Sequence, residues 1–148
     1  MIYINSGKAL INFSGNTDHL ILQTKSQMQI SKVNLQSKLD SFSDYWSPKI
    51  VGELNNQLVK IAKFKGDFVM HKHEEEDELF YVIDGKLFIE LAEETLELKT
   101  GEFVIIPKGV EHKPYAPEEV SVLLFEPAST LNTGNQNNDL TISKLDRI

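Results

Sequence analysis

The sequence predicts an all-β sandwich or barrel, and three observations carry that expectation. About nine short apolar-rich runs follow one another between Lys49 and Phe125. Gly, Pro and Asn punctuate them at near-regular spacing, and no helical pattern alternates with them. A parallel α/β sheet needs a crossover helix between strands, so that class is excluded.

The elements follow in chain order. Residues 1–27 are polar, rich in Ser, Thr, Asn and Gln, and are expected to form an N-terminal arm or an edge strand. Met28 offers an alternative translation start, because residues 28–148 still contain the whole barrel pattern. Residues 28–48 read as a lead-in with one short helix over 34–46. Asn34 is its N-cap, Leu35, Leu39 and Phe42 keep helical spacing, and Trp46 and Pro48 end it.

The barrel is assigned to 49–126. Lys49–Leu54 and Gln57–Phe64 flank Asn55-Asn56, a hairpin signal because Asn tolerates positive φ. Phe68–His73 and Glu78–Ile83 come next. Asp84-Gly85 then reads as a second hairpin leading into Lys86–Leu91. Thr95–Lys99, Glu102–Ile106, Val110–Pro114 and Val120–Phe125 complete the strands, with breaks at Thr100-Gly101, Pro107-Lys108-Gly109 and Ala116-Pro117. Residues 127–148 are a polar C-terminal arm anchored by Leu131, Leu140, Ile142 and Leu145.

Composition narrows the function. A domain of 148 residues buries roughly 68–70% of its unfolded surface and folds without staples. With no cysteine, disulfides, thiolate metal sites and cysteine nucleophiles are excluded, and any metal has nitrogen and oxygen ligands. A net charge of −7, from 22 acidic and 15 basic residues, argues against nucleic acid or an anionic membrane as partner. The start of the chain lacks the basic and apolar blocks of a signal peptide, and no apolar run is long enough to span a bilayer. A soluble, cytoplasmic protein is the expectation.

Three of the four histidines fall in two short segments, His71-Lys72-His73 and Glu111-His112. On a strand, residues two apart share a face, so His71 and His73 reach one ion while Lys72 points away. On a helix the same spacing splays the rings by about 200°. Of the acids that follow, Glu74, Glu75 and Glu76 read as a solvated turn. Glu78 instead opens the apolar run Leu79–Ile83 and shares a face with Phe80 and Val82. A carboxylate facing an interior is costly unless it is paired or holds a cation. His19 is expected at the surface, Trp46, Tyr81 and Phe88 in the core or an interface, and Lys108 and Lys113 as solvated turn residues.

These two blocks resemble the paired motifs of the cupin superfamily. The first runs glycine, five residues, His-X-His, three or four residues, Glu, six residues, Gly. Gly66 stands four rather than five residues before His71, while His71, His73, Glu78 and Gly85 fit, and the distance to Gly85 selects Glu78 over Asp77. The second runs glycine, five residues, Pro-X-Gly, two residues, His, three residues, Asn. Gly101, Pro107, Gly109 and His112 match it, and Ala116 stands where the Asn would be. The match spans 66–112.

The resemblance implies a double-stranded β-helix, or jelly-roll barrel, holding one divalent metal on His71, His73, Glu78 and His112. Three imidazoles and a carboxylate suit Mn, Fe, Ni, Zn or Cu better than Ca or Mg. Four protein ligands on an octahedral ion leave positions open for a small-molecule ligand. Two function classes follow. One is a metal-dependent enzyme, a dioxygenase or a sugar isomerase or epimerase, and the other is a non-enzymatic module that binds or senses a sugar or small acid. The unpaired edges of a jelly roll further predict a homodimer. The standard signatures of zinc proteases, P-loops, dinucleotide folds and serine-nucleophile elbows are absent from the sequence.

Overall fold

The computed structural model describes residues 30–148, so the expectations for the 1–27 arm, for Met28 and for His19 lie outside the described residues. A single helical turn, α1 (Leu35–Leu39), precedes the strands. The Asn34 side chain accepts the Ser37 amide at 2.9 Å, as an N-cap should. The helix is shorter than the expected 34–46. It stops at Asp40, and the residues after it run to Trp46, whose φ of 57° no helix accommodates.

Seven strands follow: β1 (Lys49–Leu54), β2 (Gln57–Asp67), β3 (Glu78–Asp84), β4 (Lys86–Glu90), β5 (Thr95–Lys99), β6 (Phe103–Ile106) and β7 (Lys113–Pro127). All pairings between them are antiparallel, in the order β1-β2-β7-β3-β6, with β4 joined to both β7 and β5. The fold is an all-β jelly roll. No described helix is long and apolar enough to cross a membrane.

β7 is the spine. One edge pairs with β2 from Tyr115 to Pro127, and the other pairs first with β4 at 113–115 and then with β3 at 121–125. The expected break at Ala116-Pro117 is therefore a bulge inside one strand. Phe64 pairs with Val120 and Gly66 with Ala116, so three β7 residues oppose one on β2. Of Val110–Pro114 and Val120–Phe125, expected as two strands, only Lys113 and Pro114 of the first join the second in β7, and His112 makes an isolated bridge to His71.

Asp84-Gly85 is also not the expected hairpin, because β3 and β4 do not pair with each other. They run in one direction along the same edge of β7, and Gly85 is the corner between them. Its φ of 93° needs glycine, and a Cβ there would lie 3.0 Å from the Glu119 carbonyl and 3.2 Å from the Val120 backbone. The corner sits against the bulge, so both layers bend at one level. Asn55-Asn56, with φ of 50° and 62°, is a true two-residue hairpin joining Leu54 to Gln57.

The core lies on the inward face of β2, β3, β4 and β7, around Ala62, Val82, Leu87, Ile89, Val120 and Val122. The C-terminal residues close over one end of this core. Asp146 and Ile148 bond to the Ile50 backbone, and the fully buried Thr133 bonds to Gln136 and Thr141.

Candidate metal centre

Phe68–His73 is not a ladder strand. It is an extended segment of which only His71 makes a bridge, to His112. The other side of the segment is taken by the C-terminal loop, since the Lys72 carbonyl accepts the Asn135 amide and the Lys72 amide donates to the Asn135 side chain. A loop with those bonds leaves no room for a neighbouring strand. The expected same-face projection nonetheless holds: His71 and His73 are buried, while Lys72 is half-buried and pairs with Glu74 at 3.0 Å.

The bridge sets the site. His71 and His112 exchange both backbone hydrogen bonds, at 3.0 and 2.9 Å, which brings their rings to 4.3 Å. The Gly109 amide donates to the His73 carbonyl at 2.7 Å and pins the Pro107-Lys108-Gly109 turn to the first segment. Asp77, set aside as a ligand on spacing, serves the backbone instead. Its carboxylate accepts the Lys108 amide at 2.9 Å and clips the two turns together. Glu74 and Glu75 are exposed, and Glu76 is half-buried and accepts a hydrogen bond from Ser129.

Glu78 opens β3 opposite Ile106 and is 4% exposed. Its Oε2 lies 3.2 Å from both His73 Nε2 and His112 Nε2. One donor atom from each of His71, His73, Glu78 and His112 falls within 4.8 Å of the others, and all four side chains are buried. The structure thus brings together every ligand residue expected from the sequence.

The hydrogen bonds on the far sides of the rings fix what faces inward. His71 Nδ1 is 3.0 Å from the Val69 carbonyl and His112 Nδ1 is 3.0 Å from the Val110 carbonyl. A carbonyl only accepts, so each Nδ1 carries the proton, and each Nε2 of a neutral ring presents a lone pair to the cluster. His71 Nε2 has no partner among the described residues. A neutral His112 would point that lone pair at the Glu78 carboxylate, a repulsive contact that a cation between them turns into two attractive ones. The donor set fits a divalent transition ion, with the backbone carbonyls acting as outer supports that orient the rings.

In the metal-free cluster a proton on a ring Nε2, rather than a cation, removes that repulsion. Burial is the main cause that pushes the His71 ring down to about 4, helped by the positive charge of His112 and opposed by Glu78. His71 is therefore a free base at neutral pH. Burial alone would raise the Glu78 carboxyl, but hydrogen bonds and positive charge from His112 and His73 outweigh it and hold it at about 2.

A cavity of about 20 Å³ opens beside the cluster, and His71, Glu78, Glu126 and Asn132 are among its lining residues. Trp46, Phe64, Phe68 and Phe80 wall it. Trp46 stacks on Phe64 at 4.2 Å and on Phe68 at 4.9 Å, so this buried aromatic is also a wall of the site. Glu126 on β7 is 2% exposed and pairs with the equally buried Lys60 of β2 at 2.7 Å. Burial and the Glu78 charge push its carboxyl up to about 8, against the pull of Lys60. Sequence reasoning missed this pair. The signal available was a charged residue in each of two period-two apolar patterns, Lys60 among Leu58, Ala62 and Phe64, and Glu126 after Val120, Val122 and Leu124. Lys108 and Lys113 are engaged with acids rather than with the cavity, at Glu75 and at Glu90 and Asp67.

The model of the cupin domain family matches residues 57–126. A cupin-2 domain containing protein from Shewanella frigidimarina is 41% identical, with a TM-score of 0.64 over 64% of this chain and 93% of that one. The chain belongs to the cupin family. Among curated relatives of this cupin, the uncharacterized protein YdbB of Bacillus subtilis is 39% identical over 64 residues, which is 43% of this chain and 57% of that protein. A 3-hydroxyanthranilate 3,4-dioxygenase from Xenopus laevis is 25% identical over 101 residues, 64% of this chain and 36% of that one. The cupin thus spans between about a third and under two thirds of these two curated relatives.

Proposed function

We propose that this cupin is a metal-dependent enzyme acting on a small molecule, with His71, His73, Glu78 and His112 holding one divalent transition ion. One observation carries the reading: four buried donors converge beside a cavity that also holds a carboxylate unused by the cluster. A pocket lined only by apolar groups would favour simple binding, whereas a charged group facing the open side of a metal favours chemistry. The ion supplies Lewis acidity and, if it is iron or manganese, redox capacity. Similarity to a dioxygenase supports oxygenation as the leading reaction class over sugar isomerisation.

Elemental analysis of protein purified without added metal tests the reading. About one equivalent of a first-row transition ion is expected in the wild type, and a large loss in His73→Ala and His112→Ala. A wild type that takes up no such ion, or variants that retain it fully, would sink the proposal. A homodimer is part of the same reading. It is supported by Phe103 and Ile105 on the edge strand β6, which are 61% and 52% exposed. A monomer by sedimentation at micromolar concentration would overturn it.

A further inference from the structure

We propose that Glu126 is a ligand-recognition residue of this pocket, its Oε2 accepting a hydrogen bond from the hydroxyl or amino group of a small acid. The inference rests on the metal-centre reading and adds a ligand class to it.

Three features of the fold place Glu126 there. Leu79 pairs with Phe125 across β3 and β7, so Glu78 and Glu126 are the next residues along that ladder, both turned inward and buried. Leu58 pairs with Glu126 across β2 and β7, which puts Lys60 in the diagonal position from which its ammonium reaches Oε1. That contact fixes the carboxylate and leaves Oε2 without a partner among the described residues. A fully buried carboxylate oxygen with nothing to accept is costly, and such a group calls for a donor. The cavity that Glu126 lines is also lined by His71, whose Nε2 is a second buried atom without a partner among the described residues.

Size and charge select the ligand. A cavity of about 20 Å³ holds one water-sized group, so the end of a molecule enters it rather than a whole ring. That end must be a donor to satisfy Glu126. Burial and the Glu78 charge raise the Glu126 carboxyl in the metal-free cluster; a dication on Glu78 cancels that charge and adds its own attraction, so Glu126 is ionised beside Lys60 in the loaded protein, and the dication, the Lys60 ammonium and the two carboxylates leave one net positive charge in the pocket. One carboxylate on the ligand neutralises it. A hydroxyl or amino group next to a carboxylate meets both requirements. Lys60 is a positioning residue, since it touches Glu126 and not the cavity.

The test uses the full chain loaded with zinc, glycolate and methoxyacetate as matched acids, and Trp46 fluorescence as readout. Trp46 is the single tryptophan and walls the cavity. Glycolate has a hydroxyl donor and methoxyacetate lacks it. Glycolate is expected to bind the wild type about 10- to 100-fold more tightly than methoxyacetate, as for one hydrogen bond to a charged group. In Glu126→Gln that preference is expected to collapse to within a few-fold while zinc content stays at one equivalent. Lys60→Met/Glu126→Leu removes both charges and repeats the measurement, should the single variant not fold. Equal preference in wild type and either folded variant would overturn the role of Glu126 and leave the metal reading standing. Failure of glycolate to bind the wild type would overturn it as well. Glu126-dependent preference in a wild type that binds no metal would sink the metal reading and keep the Glu126 site.

Discussion

Acid should unfold the metal-free protein in a pH window set by His71. The ring is 2% exposed and burial holds it at about 4, against an ordinary value of 6.5. Between these values the unfolded chain binds a proton that the folded chain refuses. The contribution of His71 to stability is therefore fully present above about pH 6.5 and is lost as the pH drops towards 4. A shift of this size corresponds to about 3 kcal/mol, or roughly 10 °C in melting temperature for a domain of this size. The groups that face the ring are His112 and His73, whose charges deepen the effect, and Glu78, which opposes it. Glu78 extends the loss to lower pH, because its depressed carboxyl favours the folded state above about 4.5 and ceases to do so as pH falls to about 2. Urea titrations between pH 7.5 and 4 in the presence of a chelator measure the slope, and His71→Gln should remove most of the 6.5-to-4 component. The raised Glu126 carboxyl acts in the opposite sense between 4.5 and about 8, so the His71 component is read as the difference between the two profiles, and identical slopes in wild type and His71→Gln would refute the assignment of His71 as a buried free base. With metal bound, protons must first displace the ion, so the loaded protein should stay flat to lower pH and then fall more steeply.

Two further outcomes follow from buried contacts elsewhere. Lys60→Met should cost about 3–5 kcal/mol by leaving Glu126 buried without its partner, and Lys60→Met/Glu126→Leu should recover most of it, both read from denaturant midpoints. Gly134→Ala drives a Cβ into the Lys72 carbonyl at a φ of 52°, so the loop must lift off the segment between the two histidines. A loss of about 1–3 kcal/mol is expected, with weaker metal retention by equilibrium dialysis, and unchanged retention would show that the loop does not support the site.

The site was more legible in the sequence than the fold around it, and the reason is physical. A ligand set is a short-range pattern. His71 and His73 lie two residues apart, and Glu78 is held at a fixed distance from the corner glycine Gly85, so local spacing carries it. Strand pairing is not local. Asp84-Gly85 has the composition of a hairpin, but whether two runs pair depends on what lies beside them, and here both lie along β7. Ala116-Pro117 likewise looks like a break, whereas β2 continues past it and absorbs the extra residues as a bulge. The Lys60–Glu126 pair was hidden for the same reason: each residue reads as an ordinary surface charge until the β2–β7 register puts them together.

That pair also bears on why the centre is where it is. A buried ion pair is seldom more stable than apolar residues of the same volume. The core around Val82, Leu87, Ile89, Val120 and Val122 shows that this sheet packs well with apolar side chains alone. Apart from Lys49, which pairs with Asp44 and Asp146, the buried charges are not scattered through it. Lys60, Glu126, Glu78 and the three imidazoles follow one another across β2, β7, β3 and the His71–His112 bridge, at the end of the sheet that the C-terminal residues close. If polar burial served fold specificity, one satisfied pair would suffice and no oxygen would be left over. Of the three buried side-chain atoms without a partner among the described residues, Thr130 Oγ1 belongs to a residue outside the cavity lining, while Glu126 Oε2 and His71 Nε2 belong to residues that line one cavity, where the proposed cation and donor-bearing ligand would satisfy both. The row of charges is therefore better explained by what it binds than by what it stabilises.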